Sequence, residues 1–330
     1  MNRALVRLLD AKRADLRERG IAWRVTGVAS RRLGWIVDLA GVEIENLAGG
    51  ERGKGASAPH DVRSWLKEAR ADVVFEGTSL EPRTGQPALA YLQAALEQGA
   101  HAITANKGPV VHAYDELSEL ARARGKSFLF ESAVMDGVPI FSMFRGNLPA
   151  LELRGFHGVL NSTTNVILGG MEEGLTFEAS LKRAQEIGVA ETDARHDIDG
   201  WDAAVKTAAL VRVLMRASLP LDQIAREGIG SLTDEQVRQA RAEGRPYKLV
   251  CRARRTSAGV SAGVGPERVP LSDPMASVAG TSSIVYFETD IFPGLAITEI
   301  DPGVDATAYG MLADFVRAVE TEDSGGHNTK

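Results

Sequence analysis

The first part of the chain alternates apolar segments with amphipathic ones. Leucines at helical spacing over residues 2–19, followed by Gly20, predict a helix, and an apolar run predicts a buried strand over Ile21–Ala29. The same patterns predict strands at 72–76, 101–105 and 127–131, helices at 61–70, 86–98 and 112–124, and a loop at 47–59. Strands that alternate with helices across short turns indicate a Rossmann-like α/β fold with a doubly wound parallel sheet.

The pattern changes after about residue 131, where short strands mix with long helices. We expect strands at 151–159, 248–254, 258–264, 283–289 and 295–300, and helices at 164–172, 176–187 and 201–216. This mixture predicts an α+β substrate domain. The predicted organisation is therefore a cofactor domain at 1–130, a catalytic and dimerisation domain at 131–305, a returning helix at 306–321 and a disordered polar tail at 322–330.

Composition and charge narrow the class of protein. The 330 residues carry a formal net charge of -6 without a basic stripe, so nucleic acid is not an expected partner. No apolar run is long enough to span a membrane, and the N-terminus lacks the pattern of a signal peptide. The one cysteine, Cys251, cannot form an intramolecular disulfide. We expect a cytoplasmic protein that handles small molecules.

A Rossmann-like domain normally holds its dinucleotide at a first strand and a Gly-x-Gly-x-x-Gly turn. No such strand or turn precedes the predicted helix at 2–19. We therefore expect the first strand and the glycine-rich turn to be missing from this chain. Met1–Leu9 is similar to the helix that follows such a turn, so the hypothesis is that the true start codon lies upstream.

The strongest chemical pattern lies between Ala184 and Leu210. Asp202 and Lys206 are four residues apart and share one face of a predicted helix, for which Asp199 is a plausible N-cap. Such a pair is usually a surface ion pair. Here, however, further carboxylates lie just upstream, at Glu191, Asp193 and Asp197. A lysine among carboxylates beside an apolar helix face suits the binding of an amino acid and proton transfer to an alcohol or aldehyde oxygen.

This segment resembles the signature of the homoserine dehydrogenases, in the form Gly-x-Ala-Glu-x-Asp-x-x-x-Asp-x-x-Gly-x-Asp-x-Ala-x-Lys from Gly188 to Lys206. Other segments resemble the same family in the same order: Thr104–Lys107, Glu131–Ile140, Leu160–Leu168, Asp301–Gly303 and Thr307–Tyr309. The resemblance extends from about residue 70 to 320, and more loosely from residue 1. It implies reversible, NAD(P)-dependent interconversion of L-homoserine and L-aspartate 4-semialdehyde, in threonine, methionine and isoleucine biosynthesis.

The resemblance also implies roles for individual residues. Lys206 would donate and accept the proton at the substrate oxygen, with Lys107 as its partner near the nicotinamide and the substrate. Asp202 would hold and tune the substrate and Lys206. Glu191 would bind the α-amino group of homoserine, and Asp197 would support that part of the site.

Cofactor contacts are expected at the carboxyl ends of strands, where open sheets bind ligands. Thr78 and Ser79 follow one predicted strand, and Gly303 allows a close backbone approach. Arg31 follows the strand predicted at 21–29, where enzymes that use NAD tend to place an acid. This favours NADP over NAD.

The family further implies a monovalent cation, Na⁺ or K⁺, in the loop after Glu131, held mainly by the backbone carbonyls of Val134, Asp136 and Val138. It implies a homodimer formed through the sheet of the substrate domain, and we expect Ile284, Val285 and Phe287 to supply an apolar face. A regulatory domain, which some members carry after the catalytic domain, is expected to be absent from this short form.

Two alternatives remain open from the sequence. The first is an amino-acid dehydrogenase of the same architecture with another substrate, which the segment from Glu191 to Lys206 disfavours. The second is a truncated chain that serves as an inactive binding or scaffold protein.

Overall fold

The computed structural model describes residues 1–49 and 61–325. The chain divides into two compact units, the first made of residues 1–139 and 304–330 and the second of residues 140–303. The domain boundaries expected from the sequence, at 130–131 and 305–306, remain predictions. Most of the loop expected at 47–59 lies outside the described residues, and its first residues belong to a helix.

The first unit begins with alternating helices and strands. In chain order these are α1 (Asn2–Ala11), α2 (Arg13–Glu18), β1 (Gly27–Ser30), β2 (Gly34–Val37), α3 (Ile44–Gly49), α4 (Val62–Ala69), β3 (Val73–Glu76), α5 (Ala88–Glu97), β4 (His101–Thr104), α6 (Lys107–Ala123) and β5 (Phe128–Leu129). Strands β3, β4 and β5 form a parallel sheet in that order, with every residue of β4 buried. The predicted parallel α/β sheet is thus confirmed.

The strand predicted over Ile21–Ala29 is wrong in its position and its pairing. The strand is β1, it begins only at Gly27, and it pairs antiparallel with β2 in a separate hairpin. Gly34, with φ of +72°, closes the turn of this hairpin. Val25 and Val28 pack against Ile36 in a small local core, whereas Ile21 and Trp23 pack against the core that contains Ile103 of β4.

Helix α6 begins earlier than the predicted span of 112–124. Asn106 caps it by accepting a hydrogen bond from the backbone N–H of Gly108. Pro109 lies in the first helical turn, where the missing N–H of a proline costs nothing. A Gly-Pro pair suggests a turn when only the sequence is considered, and the Asn106 cap overrides that preference.

The second unit is an α+β layer, as expected. Its elements are α7 (Ile140–Ser142), β6 (Leu153–Val159), α8 (Ser162–Glu172), α9 (Phe177–Glu186), α10 (Arg195–Ile198), α11 (Trp201–Leu214), β7 (Ala225–Arg226), α12 (Asp234–Ala242), β8 (Tyr247–Thr256), β9 (Gly259–Arg268), β10 (Ser283–Thr289) and β11 (Leu295–Glu299), with a π-helical turn at Met143–Asn147. The six strands form one sheet in the order β11-β10-β6-β8-β9-β7.

The apolar side chains of β10 pack within the chain itself on both faces of the strand. Ile284 packs with Val159, Val250 and Met275 on one face. Phe287, on the other, has its ring centroid 4.9 Å from that of Phe144. Ile284, Val285 and Phe287 are at most 2% exposed, so the expectation that they present an apolar face to a second subunit is wrong.

The chain returns to the first unit at α13 (Val304–Gly325). Met311 and Phe315 of this helix pack against Leu5, Leu9 and Ile103, so the last helix completes the core around β4 and α1. The helix includes the start of the segment predicted as a disordered tail, and residues 326–330 lie outside the described part. Within the described ranges, no helix is long and apolar enough to cross a membrane.

Candidate active site

The lysine singled out by the sequence lies in a mostly buried polar cluster of the second unit. Lys206 Nζ donates to the backbone carbonyl of Leu160 at 2.5 Å and is 3.3 Å from Asp202 Oδ2. The side chains of Lys206 and Asp202 are only 15% and 17% exposed. The pair on α11 is therefore not an ordinary surface ion pair, because burial strengthens its electrostatic interaction.

The junction between β6 and α8 supplies a residue that the sequence pattern did not single out. Asn161 is 4% exposed, and its Nδ2 donates to Asp197 Oδ1 at 2.7 Å and to Asp202 Oδ2 at 3.0 Å. Its Oδ1 accepts from the backbone N–H of Thr164 at 2.9 Å and so caps α8. The same amide therefore begins a helix and joins two carboxylates.

Asp197, on the short helix α10, is half-buried. Burial raises its pKa, and the nearby charge of Asp202 raises it further. Hydrogen bonds from Asn161 and Thr163, and the ammonium of Lys206, oppose that rise. Asp197, Asp202 and Lys206 thus form one electrostatically connected group in the second unit.

A glycine, not a capping acid, joins α10 to α11. Gly200 is the N-cap residue of α11 with φ of +78°, and no side chain caps the helix. The predicted N-cap role of Asp199 is therefore wrong: this residue ends α10, and its carbonyl accepts from Arg226. The left-handed turn lets Asp197 and Asp202 approach the same amide.

The acidic loop before α10 holds two carboxylates in different environments. Glu191 is exposed, and Gln185 Nε2 fixes the backbone there by donating to the carbonyls of Glu191 at 3.3 Å and Thr192 at 3.2 Å. Asp193 accepts from Arg195 Nε at 2.8 Å. Hydrogen bonding to the Arg195 side chain lowers the pKa of Asp193 to about 2. The carboxylate of Asp193 is therefore already engaged within the loop.

In the first unit, polar side chains meet at the carboxyl edge of the parallel sheet. Glu76, 4% exposed at the end of β3, accepts from Thr104 Oγ1 at 2.6 Å and from Thr78 Oγ1 at 2.5 Å. Asn106 Nδ2 donates to the carbonyls of Thr78 at 3.3 Å and Ser79 at 3.4 Å. This network fixes the turn after β3 beside the start of α6.

The donor set at this edge fits a nicotinamide dinucleotide. The side chains of Thr78 and Ser79 are exposed at the ends of strands, where open α/β sheets bind such cofactors. Lys107, half-buried, is the first residue of α6, next to the capping Asn106. Hydroxyls, a cation and a helix N-terminus are suitable partners for phosphate and ribose oxygens.

The other two residues predicted to contact the cofactor, Gly303 and Arg31, occupy exposed positions. A Cβ added at Gly303 would have no atom of the described residues within 4 Å, so packing within the chain does not require a glycine there. Arg31 lies in the turn of the β1–β2 hairpin, and β1 is not part of the parallel sheet. The sequence argument for NADP assumed that Arg31 follows a strand of the parallel sheet, and the structure does not support that assumption. The preference for NADP over NAD stays a prediction.

The residues expected to bind a monovalent cation lie in the first unit. Glu131 is buried, with Oε2 3.4 Å from Arg317 Nη1, so a guanidinium already lies beside its carboxylate. Asp136 has φ of +42°, and its side chain accepts from Thr307 Oγ1 at 2.5 Å. The Glu131 side chain therefore does not fit a cation ligand in this arrangement. The carbonyls of Val134, Asp136 and Val138 stay a prediction.

The predicted catalytic residues fall in both units. Asp197, Asp202 and Lys206 come together in the second unit, with Asn161 between the two carboxylates. Glu191 lies in the exposed loop of the same unit, whereas Lys107 belongs to the first unit. The sequence pattern does not reveal Asn161 and Glu76. An asparagine between an apolar strand and a helix predicts an N-cap, but no local sequence pattern predicts that its amide also donates to two distant carboxylates.

Comparison with known proteins gives the class and then the family. Residues 3–131 match the model "Homoserine dehydrogenase, NAD binding domain", and residues 139–316 match the model "Homoserine dehydrogenase". With a parallel sheet and a lysine–carboxylate site, these matches define a nicotinamide-dependent dehydrogenase.

Individual relatives agree. The chain is 32% identical to an NAD(+)-dependent homoserine dehydrogenase of Pseudomonas canavaninivorans, over 96% of this chain and 92% of that protein. The crystal structure of a homoserine dehydrogenase from Thiobacillus denitrificans aligns with a TM-score of 0.83 and 29% identity, covering 99% of this chain and 73% of the other. A hyperthermophilic archaeal homoserine dehydrogenase in complex with NADPH aligns with a TM-score of 0.81 and 25% identity, covering 97% and 94%. The chain belongs to the homoserine dehydrogenase family.

Membership confirms several expectations from the sequence. The chain is an NAD(P)-dependent oxidoreductase that acts on a CH–OH group, and its reaction belongs to the biosynthesis of threonine, methionine and isoleucine. The matches favour this reading over a dehydrogenase for another substrate and over an inactive scaffold. The roles of single residues are not decided by family membership.

Proposed function

We propose that Lys206 carries the proton in the interconversion of L-homoserine and L-aspartate 4-semialdehyde. The observation that carries this proposal is the position of Lys206 Nζ, held by the Leu160 carbonyl and by Asp202 in a mostly buried site. A lysine that is held by a carbonyl and a carboxylate in a mostly buried site has a defined position for its amine. We assign the proton transfer at the substrate oxygen to this amine.

The proton and the hydride leave homoserine separately. The bound nicotinamide supplies the hydride in reduction and accepts it in oxidation. In the oxidation, the hydroxyl proton passes to neutral Lys206 Nζ as the C–O bond becomes a carbonyl. In the reduction, the ammonium of Lys206 returns a proton to the carbonyl oxygen. Asp202 holds the ammonium form, and Asp197 supports the same site.

We propose that Thr78, Ser79 and Lys107, at the carboxyl edge of the first unit, contact the nicotinamide dinucleotide. A cofactor contact of Gly303, the last residue of the second unit, and a substrate contact of Lys107 are proposals that rest on the family resemblance. The Glu76 and Asn106 network supports this proposal, because it fixes the backbone of the turn that carries Thr78 and Ser79. Arg31 remains the proposed contact for the 2′-phosphate of NADP.

Replacing Glu191 by glutamine is expected to raise KM for L-homoserine by about 10–100-fold and to change kcat by less than about three-fold. The proposed partner of Glu191 is the α-amino group, and a charge-assisted hydrogen bond is worth about 1.5–3 kcal/mol. The group is remote from the reacting carbon, so its loss weakens binding more than chemistry. Initial rates at varied homoserine and saturating cofactor give both constants.

Asp193→Asn is the matched control. It removes one negative charge from the same loop, but that carboxylate is already occupied by Arg195. We expect KM to stay within about two-fold. Equal increases for the two variants would show that only the net charge of the loop matters, and the role assigned to Glu191 would then be wrong.

We also propose a homodimer that works in the cytoplasm. Strand β11 is at one edge of the six-stranded sheet, and large apolar side chains near its two ends are exposed: Ile291 by 66%, Phe292 by 40% and Ile300 by 78%. Exposed apolar groups beside a sheet edge favour association. Sedimentation equilibrium should give twice the chain mass of 35.3 kDa. A single-chain mass would contradict the dimer, and recovery outside the cytoplasmic fraction would contradict the location.

A further inference from the structure

Asn161 uses its whole side chain in hydrogen bonds within the second unit. Its Oδ1 accepts from Thr164 N and Thr164 Oγ1, each at 2.9 Å. Its two Nδ2 hydrogens point to Asp197 and Asp202. The backbone N–H of Thr164 can only donate, so it fixes which end of the amide is the acceptor and leaves the NH₂ group facing the carboxylates.

The amide joins elements that are distant in the chain. Asp197 comes from α10 and Asp202 from α11, and each places a carboxyl group in a partly buried site. Asp202 Oδ2 accepts from Asn161 at 3.0 Å and lies 3.3 Å from Lys206 Nζ. The adjoining residue, Leu160, accepts from the same Nζ. The segment Leu160–Asn161 thus fixes both sides of the lysine.

The physical consequence concerns the direction of the Lys206 amine. A carboxylate that is free to turn would present both oxygens to the ammonium and draw it into a closed ion pair. Asn161 keeps Asp202 Oδ2 directed toward the amide as well as toward the lysine. Because a displacement of about 1 Å at a reacting group can lower a rate by about 100-fold, this restraint bears on catalysis.

We propose that Asn161 is a positioning residue for proton transfer, because its carboxamide holds Asp197 and Asp202 in place around Lys206 Nζ. The inference rests on the proposed role of Lys206 as the proton donor and acceptor. It assigns Asn161 no contact with the substrate. It predicts that losing the amide donors lowers kcat more than it changes KM.

The Asn161 carboxamide with its contacts to Asp197 and Asp202 is called the clamp, and the ionisable groups around it determine how kcat depends on pH. Asp197 faces it from α10, Asp202 and Lys206 from α11, and Cys251 from β8. Burial raises the pKa of Cys251 to about 11, so the thiol stays neutral. From α8, Thr163 is polar and uncharged. Amide donors offset the negative charge of Asp197 and Asp202, so their removal makes the Lys206 proton harder to remove and should move the acid limb of the kcat profile for homoserine oxidation to higher pH.

Three substitutions separate the clamp from the helix cap. Asn161→Ser and Asn161→Asp keep an oxygen that can cap α8, whereas Asn161→Ala removes both functions. We expect kcat to fall by about 10–100-fold in all three, with KM for homoserine within about three-fold. The acid limb should move up by about one pH unit for serine and further for aspartate, which adds a negative charge.

Thr176→Ala is the control for loss of a cap alone, since Thr176 Oγ1 caps α9 by accepting from Ala179 N at 3.2 Å. It should lower Tm without changing kcat or the pH profile. The inference is overturned if the Asn161 variants change only Tm, raise only KM, or lower kcat with an unmoved acid limb. Assaying Lys206→Met in parallel distinguishes failure of the positioning role of Asn161 from failure of the proton-transfer role of Lys206. If that variant retains turnover, the proposed function fails; if it is inactive while the Asn161 variants keep their kcat, only the inference fails.

Discussion

Replacing Lys206 by methionine is expected to lower kcat for homoserine oxidation by about 1,000-fold or more. Methionine approximates the length of the side chain but removes the group that accepts and donates the proton. General acid–base catalysis contributes about 10²–10⁴-fold to the rate of a reaction. We expect this contribution to be lost, because the variant leaves no amine beside Asp202 in the place of Lys206 Nζ. Binding of NAD(P) should change by less than about three-fold, because Lys206 is assigned to the substrate oxygen. Steady-state rates and a fluorescence titration of the reduced cofactor measure the two quantities.

Lys182→Met is the control for the loss of a lysine from the same unit. Lys182 lies on α9, is 76% exposed and pairs loosely with Glu186 at 3.7 Å. Its replacement should leave kcat unchanged within about two-fold. A Lys206→Met protein that folds, binds the cofactor and turns over within about ten-fold of the unaltered chain would remove Lys206 from the reaction.

Replacing Gly158 by alanine is expected to lower the free energy of unfolding by about 2–3 kcal/mol. Gly158 is in β6, and a Cβ there would overlap the carbonyl oxygen of Ile284 and lie 2.9 Å from the Cα of Val285. These are backbone atoms of the neighbouring strand β10, so they cannot move aside as a flexible side chain would. Strand β6 leads directly to Leu160, and kcat should fall together with stability. Urea unfolding followed by circular dichroism gives the change.

Gly169→Ala is the matched substitution in the same unit. Gly169 lies inside α8, and a Cβ there would meet no atom of the described residues within 4 Å. Alanine is favoured over glycine within a helix by about 1 kcal/mol, so this variant should be unchanged or more stable. If Gly158→Ala were as stable as Gly169→Ala, the close approach of β6 and β10 would be wrong.

The sequence predicted those parts of the site that depend on local geometry. Asp202 and Lys206 are neighbours because a helix places residues four apart on one face, and that rule needs no knowledge of the rest of the chain. The parallel strands β3, β4 and β5 follow from equally local apolar patterns. The amino-acid sequence alone therefore suffices to predict these elements and the pair on α11.

The remaining features depend on contacts between distant segments. Asn161 reaches carboxylates 36 and 41 residues further along the chain, and no local pattern encodes that meeting. The strand predicted over Ile21–Ala29 failed because only its last residues form a strand, which pairs with β2 in a hairpin, while Ile21 and Trp23 pack elsewhere in the first unit. Asp199 failed as a cap because Gly200, in a left-handed conformation, occupies the N-cap position. In each case tertiary packing overrode a local preference.

The most direct measurement is the oxidation of L-homoserine by the purified, unaltered chain with NAD⁺ and with NADP⁺, followed by the absorbance of the reduced nicotinamide. A chain that holds Lys206 between Leu160 and Asp202 for proton transfer should form reduced cofactor and L-aspartate 4-semialdehyde in equal amounts, with kcat rising as Lys206 loses its proton. The Lys206→Met variant should form both products at least about 1,000-fold more slowly. Turnover that does not depend on pH, or that stays within about ten-fold in the variant, would contradict the assignment of the proton to Lys206.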